Sequence, residues 1–264
     1  MKALSLEGRR DVALSALLLA TTAFAWVEVI RAARVMHMPQ IELLSGAATL
    51  GFTLEWGVMM TAMMLPSAAP MILLYGMTSR RPGKSSERMI SAELFAITYI
   101  VLWFLTGVPV YLAWVAIGEL AARSMTFAAA IPYAIAGTLF AAGVYQLSPA
   151  KHACLRQCEL PIDFLMRRWR SGYAASLRLA ATHAAYCIGC CWALMVLLVV
   201  AGAMSLPWVL VIALLVFAEK VLPGGERTAR VTGVLLMAAA VAVVIWPELA
   251  CRMKSICAVA MLTR

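Results

Sequence analysis

Apolar residues are grouped into long blocks that are separated by short charged segments. Seven blocks are predicted to form helical spans, at about 12–32, 49–77, 90–117, 127–147, 178–203, 206–222 and 229–247. Most of them reach the roughly 20 apolar residues that a helix needs to cross a bilayer. The pattern therefore predicts an all-α fold, a polytopic transmembrane helical bundle with about seven spans that forms one domain over residues 1–264.

The composition supports a membrane protein and decides how the net charge is interpreted. The 264 residues are 64% hydrophobic and only 13% charged, with a mean hydropathy of +0.89, unlike a soluble globular domain. The formal net charge of +9 comes from Lys and Arg residues between the apolar blocks, where they set topology and meet lipid headgroups. We therefore expect a lipid bilayer as partner, no nucleic acid, and a cytoplasmic position for the basic 148–177 loop.

Chemically distinctive residues recur along the fifth predicted span. His183, Cys187, Cys191 and Met195 are four residues apart, which places them on one face of a helix, and Cys190 lies beside them. Imidazole, thiolate and thioether groups suit Cu(I) best and Zn(II) second. The stripe therefore indicates a soft-metal or redox site, and ordinary packing of small buried thiols is the alternative.

The second span carries a matching set of thioethers. Glu55, Met59 and Met63 are four residues apart, and Met60 and Met64 form a parallel stripe. Thioethers bind Cu(I) without deprotonation, so such stripes are typical of copper handling and also of flexible core packing. A carboxylate is costly in hydrocarbon, so Glu55 is expected to face the bundle interior, or else to lie near the headgroups. We predict that the stripe of Glu55, Met59 and Met63 faces the cysteine stripe.

The 148–177 loop contains a second pair of thiols. Cys154 and Cys158 are four residues apart, with Lys151 and His152 nearby, and neighbouring cations favour a thiolate. The pair is a candidate point for metal exchange on the cytoplasmic side, or two ordinary thiols.

The sixth span ends in two adjacent opposite charges, Glu219 and Lys220. Both side chains could snorkel to the surface, or Glu219 could pair with an Arg of the 148–177 loop. A structural role is favoured here.

Four blocks of the sequence resemble a bacterial family of predicted metal-binding integral membrane proteins, domain of unknown function family 2182. They are Glu55 to Pro70, Gly143 to Lys151 with Cys154 and Cys158, Cys187 to Met195, and Glu219-Lys220 followed by Pro223-Gly224. The resemblance covers roughly residues 50–230. Ser205 and Ser148 stand where that family has Asn and Thr, and neither change touches a candidate ligand. The resemblance implies metal binding in a bacterial inner membrane, and it supplies neither the ion nor a reaction.

The leading hypothesis is membrane-embedded binding and handling of copper, as a transporter, chaperone or metallation factor. Cu(I) would lie between the second and fifth spans, held by Cys187, Cys190, Cys191, His183 and either Met59 or Met63. Two alternatives stay open: an accessory subunit of a larger membrane complex with a structural metal such as zinc, and a thiol–disulfide redox enzyme using Cys187 and Cys190. The sequence favours binding over catalysis, and the absence of a phosphate-binding loop excludes an ATP-driven pump in one chain.

Overall fold

A computed structural model describes residues 2–35, 46–78, 85–169, 172–202 and 205–246. The described residues form helices and contain no strand, which confirms the all-α prediction. In chain order these helices are α1 (Lys2–Val35), α2 (Gly46–Thr78), α3 (Ser85–Leu105), α4 (Gly107–Arg123), α5 (Met125–Gln146), α6 (Pro149–Glu159), α7 (Pro161–Arg168), α8 (Tyr173–Gly202), α9 (Leu206–Val221) and α10 (Gly225–Ile245).

Fewer helices than predicted are long and apolar enough to cross a membrane. Five segments of the described chain qualify: 11–34, 46–78, 92–120, 173–200 and 225–245. The pair formed by α5 and α6, which is bent by 62°, makes a sixth if it counts as one span. The predicted sixth span corresponds to α9, whose 16 residues extend roughly 24 Å, less than the roughly 30 Å of a bilayer core. The prediction of about seven spans is therefore not confirmed.

The predicted third span is interrupted in its middle. Thr106 separates α3 from α4, and its hydroxyl accepts a hydrogen bond from Trp56 Nε1 at 2.9 Å. Pro109 has no N–H to donate to the carbonyl four residues earlier, at Leu105, so the break falls where the helix loses that bond. The apolar stretch still runs continuously through the break.

The predicted 148–177 connection between spans contains two helices, α6 and α7. Ser148 caps α6 by accepting a hydrogen bond from the Lys151 N–H at 3.2 Å, and Pro149 occupies the first turn. Pro161 occupies the first turn of α7, which begins without a side-chain capping hydrogen bond. A capping serine followed by proline is a helix-start signal, which the polar composition of the segment obscured. The predicted cytoplasmic position of this segment stays a prediction.

Several helices pack against α8, which carries the cysteine stripe. It contacts α3, α5, α6 and α9, whereas α2 packs mainly against α1, α3 and α9. The largest interface joins α5 to α10, where the helices approach at Gly143 and Gly233. A methyl group on Gly143 would lie 2.7 Å from the Gly233 carbonyl oxygen, so only glycine permits this approach. This pair supports the end of α5, from which α6 turns towards α8.

Candidate metal centre

The cysteine stripe of α8 is turned into the bundle, near the middle of the helix. His183, Cys187 and Cys191 are 3%, 2% and 1% exposed, and Cys190 is equally buried. These residues therefore share one buried, inward-facing stripe of α8. Cys190 and Cys191 direct their sulfurs back to the Cys187 carbonyl oxygen, at 3.1 and 2.9 Å.

The thiols of α6 join this cluster. The sulfurs of Cys158 and Cys190 are 4.0 Å apart, and a methyl group on Gly189 would lie 3.1 Å from the Cys154 sulfur. Gly189 therefore allows α6 to approach α8 closely, and the hydroxyl of Tyr145 donates a hydrogen bond to its carbonyl oxygen. The sequence predicted these thiols as a point of metal exchange without relating them in space to the α8 stripe, and the structure places both against it.

All five cysteines that the structure describes are free thiols: Cys154, Cys158, Cys187, Cys190 and Cys191. Those of α8 are buried, and those of α6 are half-buried. Together they form a group of sulfur atoms that extends from the bundle interior towards its surface.

The most unexpected member of the site is Lys220 on α9. Its Nζ lies 2.8 Å from the Cys187 sulfur, 4.0 Å from the Cys191 sulfur and 3.8 Å from the Met64 sulfur. The side chain is only 6% exposed, so the prediction that it snorkels to the surface is wrong. The Tyr99 hydroxyl, on α3, approaches the Cys187 sulfur at 2.9 Å from another helix.

Sequence reasoning assigned no functional role to Lys220 or Tyr99. A signal for Lys220 was present, because an ionisable residue in an apolar segment usually faces the bundle interior and serves a function. Proximity of the residue to Pro223 concealed it, since a helix end suggested solvent. Tyr99 carries no comparable signal, because tyrosines are common near membrane interfaces.

The methionines of α2 are buried, and one of them contacts the ammonium group that lies beside the thiols. The side chains of Met59, Met60, Met63 and Met64 are at most 2% exposed. Among the described residues, Met64 approaches the thiol region through the Lys220 ammonium, and Met64 belongs to the parallel stripe rather than to that of Met59 and Met63. The prediction that the stripe of Glu55, Met59 and Met63 faces the cysteine stripe is therefore not confirmed. The proposed roles of Met59 and Met63 as ligands stay predictions.

The structure corrects the prediction for Glu55. Its side chain is exposed, while the neighbouring Trp56 is 1% exposed. Glu55 lies in the amino-terminal third of α2, where a carboxylate can remain outside the core and avoid an unpaired buried charge. The prediction that it faces the bundle interior is wrong, and the headgroup position is the alternative that fits.

His183 is enclosed by aromatic rings. Its ring centroid lies 5.9 Å from that of Phe95, 5.8 Å from that of Tyr99 and 5.5 Å from that of Phe164. Among the described residues, its Nδ1 atom is buried without a hydrogen-bond partner. A buried imidazole nitrogen without a partner can accept a hydrogen bond or bind a metal ion.

A second polar network lies beside the thiols. Glu219 pairs with Lys151 of α6 and accepts a hydrogen bond from Gln146 Nε2 at 2.9 Å. Lys151, Gln146 and Glu219 are all buried, at 2% exposure or less. The expectation that Glu219 links α9 to the 148–177 segment holds, with Lys151 rather than an arginine as its partner.

The donor set suits a soft ion with few ligands. Within the part of the chain that the structure describes, no three His, Cys, Asp or Glu side chains lie together in a position to hold a metal ion. Thiol and thioether groups, such as those of Cys187, Cys191 and Met64, are the ligand types that Cu(I) prefers.

The chain was compared with known proteins. A family model described as PpoB2, copper chaperone, matches residues 53–243. The matched region contains the described cysteines, the α2 methionines and Lys220. Comparisons with curated proteins and with solved structures found no match.

Proposed function

The chain belongs to the PpoB2 copper chaperone family, and from this premise we propose that it binds Cu(I) inside the bilayer and transfers it to a partner protein. Cys187 and Cys191 hold the ion in the bundle, with Met64 as a thioether ligand. Cys190, Cys158 and Cys154 provide the exchange route. His183 is a further candidate ligand at the α7 side of the site.

One observation carries the proposal: free thiols of two separate helices converge on one turn of α8. The sulfurs of Cys158 and Cys190 are 4.0 Å apart, although these residues are far apart in the sequence. Packing alone does not call for five thiols together, whereas Cu(I) moves between proteins by exchange from one thiolate to the next. The half-buried cysteines of α6 give this group a side from which a partner can take the ion.

The apolar helices support a membrane location for this chemistry. Five long segments have the length and hydropathy to span a bilayer, and α8, which carries the stripe, is one of them. A site in the middle of such a helix is shielded from water and from competing hydrated ligands. A location in a bacterial inner membrane is part of the proposal.

The test is the copper-to-protein ratio after purification under reducing conditions, with zinc counted in the same samples. We expect Cys187→Ser and Cys191→Ser each to remove most of the copper while the protein still inserts and folds, because losing one of two thiolates weakens a soft-metal site steeply. Cys251→Ser and Cys257→Ser, outside the described residues, are the matched controls and should keep a full complement. A full copper complement in the Cys187/Cys191 double variant would contradict the site.

Thiol–disulfide exchange is the second candidate, and the Cys158–Cys190 pair is the observation that favours it. A disulfide requires its sulfurs at about 2.05 Å, so a small shift of α6 would join this pair. Alkylation of the protein with and without bound copper separates the two functions. A redox dithiol is labelled by alkylating agents after reduction whatever its copper content, whereas a bound Cu(I) ion protects its thiolate ligands.

A further inference from the structure

We propose that Lys220 sets the metal selectivity of this site, favouring monovalent Cu(I) over divalent Zn(II) through the positive charge of its ammonium group. The inference rests on the proposed function for the identity of the ligands. It adds a specificity-determining residue, together with the physical property on which the choice of metal depends.

The first step is the position of the ammonium group. Lys220 Nζ lies among three sulfur atoms from two helices, at 2.8 Å from Cys187, 4.0 Å from Cys191 and 3.8 Å from Met64. A buried ammonium ordinarily takes oxygen acceptors, because sulfur accepts hydrogen bonds weakly. The carboxylate of the preceding residue, Glu219, is already paired with Lys151. The positive charge of Lys220 is therefore directed at the sulfur atoms.

The second step is the charge of the loaded site. Cysteines bind metals as thiolates and release their protons to solvent on binding. Two thiolates around Cu(I) form a complex with one negative charge, which the adjacent ammonium neutralises. The same two thiolates around Zn(II) form a neutral complex, and the ammonium then leaves one uncompensated positive charge. Uncompensated charge in a buried site is costly, so Lys220 disfavours the divalent ion.

The third step is that the neighbouring charges do not change this balance. Lys151 and Glu219 form an ion pair that is neutral as a unit. Tyr99, Met64, His183 and the remaining thiols of Cys158 and Cys190 also lie beside the site, and none of them carries a formal charge in its neutral form. Lys220 therefore decides the net charge of the site within the described residues.

The experiment is a competition between the two metals. Wild type, Lys220→Leu and Lys220→Arg are purified under reducing conditions, equilibrated with buffered Cu(I) and Zn(II) together, and both metals are counted per protein. Wild type and Lys220→Arg should hold copper. In Lys220→Leu the copper-to-zinc preference should fall at least about tenfold, with zinc gained, since one charge a few ångströms away in a low-dielectric site has a large effect.

Two further variants serve as controls. Arg230→Leu removes one positive charge from an exposed position on α10 and should keep the wild-type preference. Lys220→Gln keeps much of the side-chain length and its hydrogen-bonding capacity without the charge, and is measured beside Lys220→Leu in case that variant fails to insert.

The outcomes distinguish this inference from the function on which it rests. An unchanged copper-to-zinc preference in the neutral variants overturns the role of Lys220, and so does loss of both metals in both variants, which would assign the residue to assembly of the site. Failure of the proposed function shows separately. In that case wild type binds neither metal, or its metal content does not depend on Cys187 and Cys191.

Discussion

Two buried lysines that lie close together in the bundle have chemically different partners, oxygen in one case and sulfur in the other. Lys151 of α6 meets the carboxylate of Glu219, which also accepts a hydrogen bond from Gln146. Lys220, the next residue along α9, meets the sulfurs of Cys187 and Met64. Burial is similar in the two cases, so the difference lies in the chemistry of the acceptors.

The partners of a buried charge indicate whether its role is structural or functional. An ammonium paired with a carboxylate that also binds a third polar group has its charge compensated and its hydrogen bonds formed within the protein. An ammonium facing thiols and a thioether lacks a carboxylate partner, and neutral sulfur groups are weak hydrogen-bond acceptors. Under the proposed function, the charge of Lys220 would be compensated when the thiols bind Cu(I) as thiolates.

Removal of the Lys151 charge should have the largest effect on stability. Lys151→Leu leaves the buried Glu219 carboxylate without its counter-charge, and should lower the free energy of unfolding by roughly 3–5 kcal/mol. Lys220→Leu should cost clearly less, since it leaves thiols that can stay neutral. Thermal unfolding of the detergent-solubilised variants measures both.

The matched control for that measurement is Arg156→Leu. The Arg156 side chain is 64% exposed and pairs with Glu226 at the surface, so its loss should cost less than about 1 kcal/mol. Equal destabilisation by the two buried lysine substitutions would remove the distinction between them.

A smaller effect, on copper retention, is expected when the thioether beside Lys220 is removed. Met64→Leu should weaken Cu(I) retention about tenfold or more, because the thioether next to Lys220 is lost as a ligand. Met71→Leu, at a similarly buried position on the same helix, should leave retention unchanged. Both changes nearly conserve volume and should cost under about 1.5 kcal/mol of stability.

Competition with a Cu(I) chelator provides the retention measurement for these two variants. If Met59→Leu or Met63→Leu weakens retention more than Met64→Leu does, the stripe first inferred from the sequence is the ligating one.

The sequence was sufficient wherever the chemistry lies within one helix. His183, Cys187 and Cys191 share a face because residues four apart on a helix always do, and their polarity relative to lipid predicted that the face turns inward. The all-α class followed from the apolar blocks in the same way. The spans were harder to predict, because the break at Thr106 and the shortness of α9 depend on local details of hydrogen bonding and length.

Contacts between helices could not be obtained from spacing. That Cys158 approaches Cys190 depends on the bend between α5 and α6 and on the close approach at Gly189. The burial of Lys220 depends on α9 lying between α2 and α8, which no periodicity within α9 reveals. The exposure of Glu55 likewise goes with its place in the amino-terminal third of α2, which the spacing of the stripe does not reveal.

The central claim is that Cu(I) is held by sulfur atoms beside Lys220, and X-ray absorption at the copper edge tests it most directly. Copper-loaded wild type should show a first shell of about two to three sulfur neighbours, and the Cys187→Ser/Cys191→Ser variant should lose that shell. A first shell of nitrogen and oxygen, or a sulfur shell that survives in the double variant, would contradict the account.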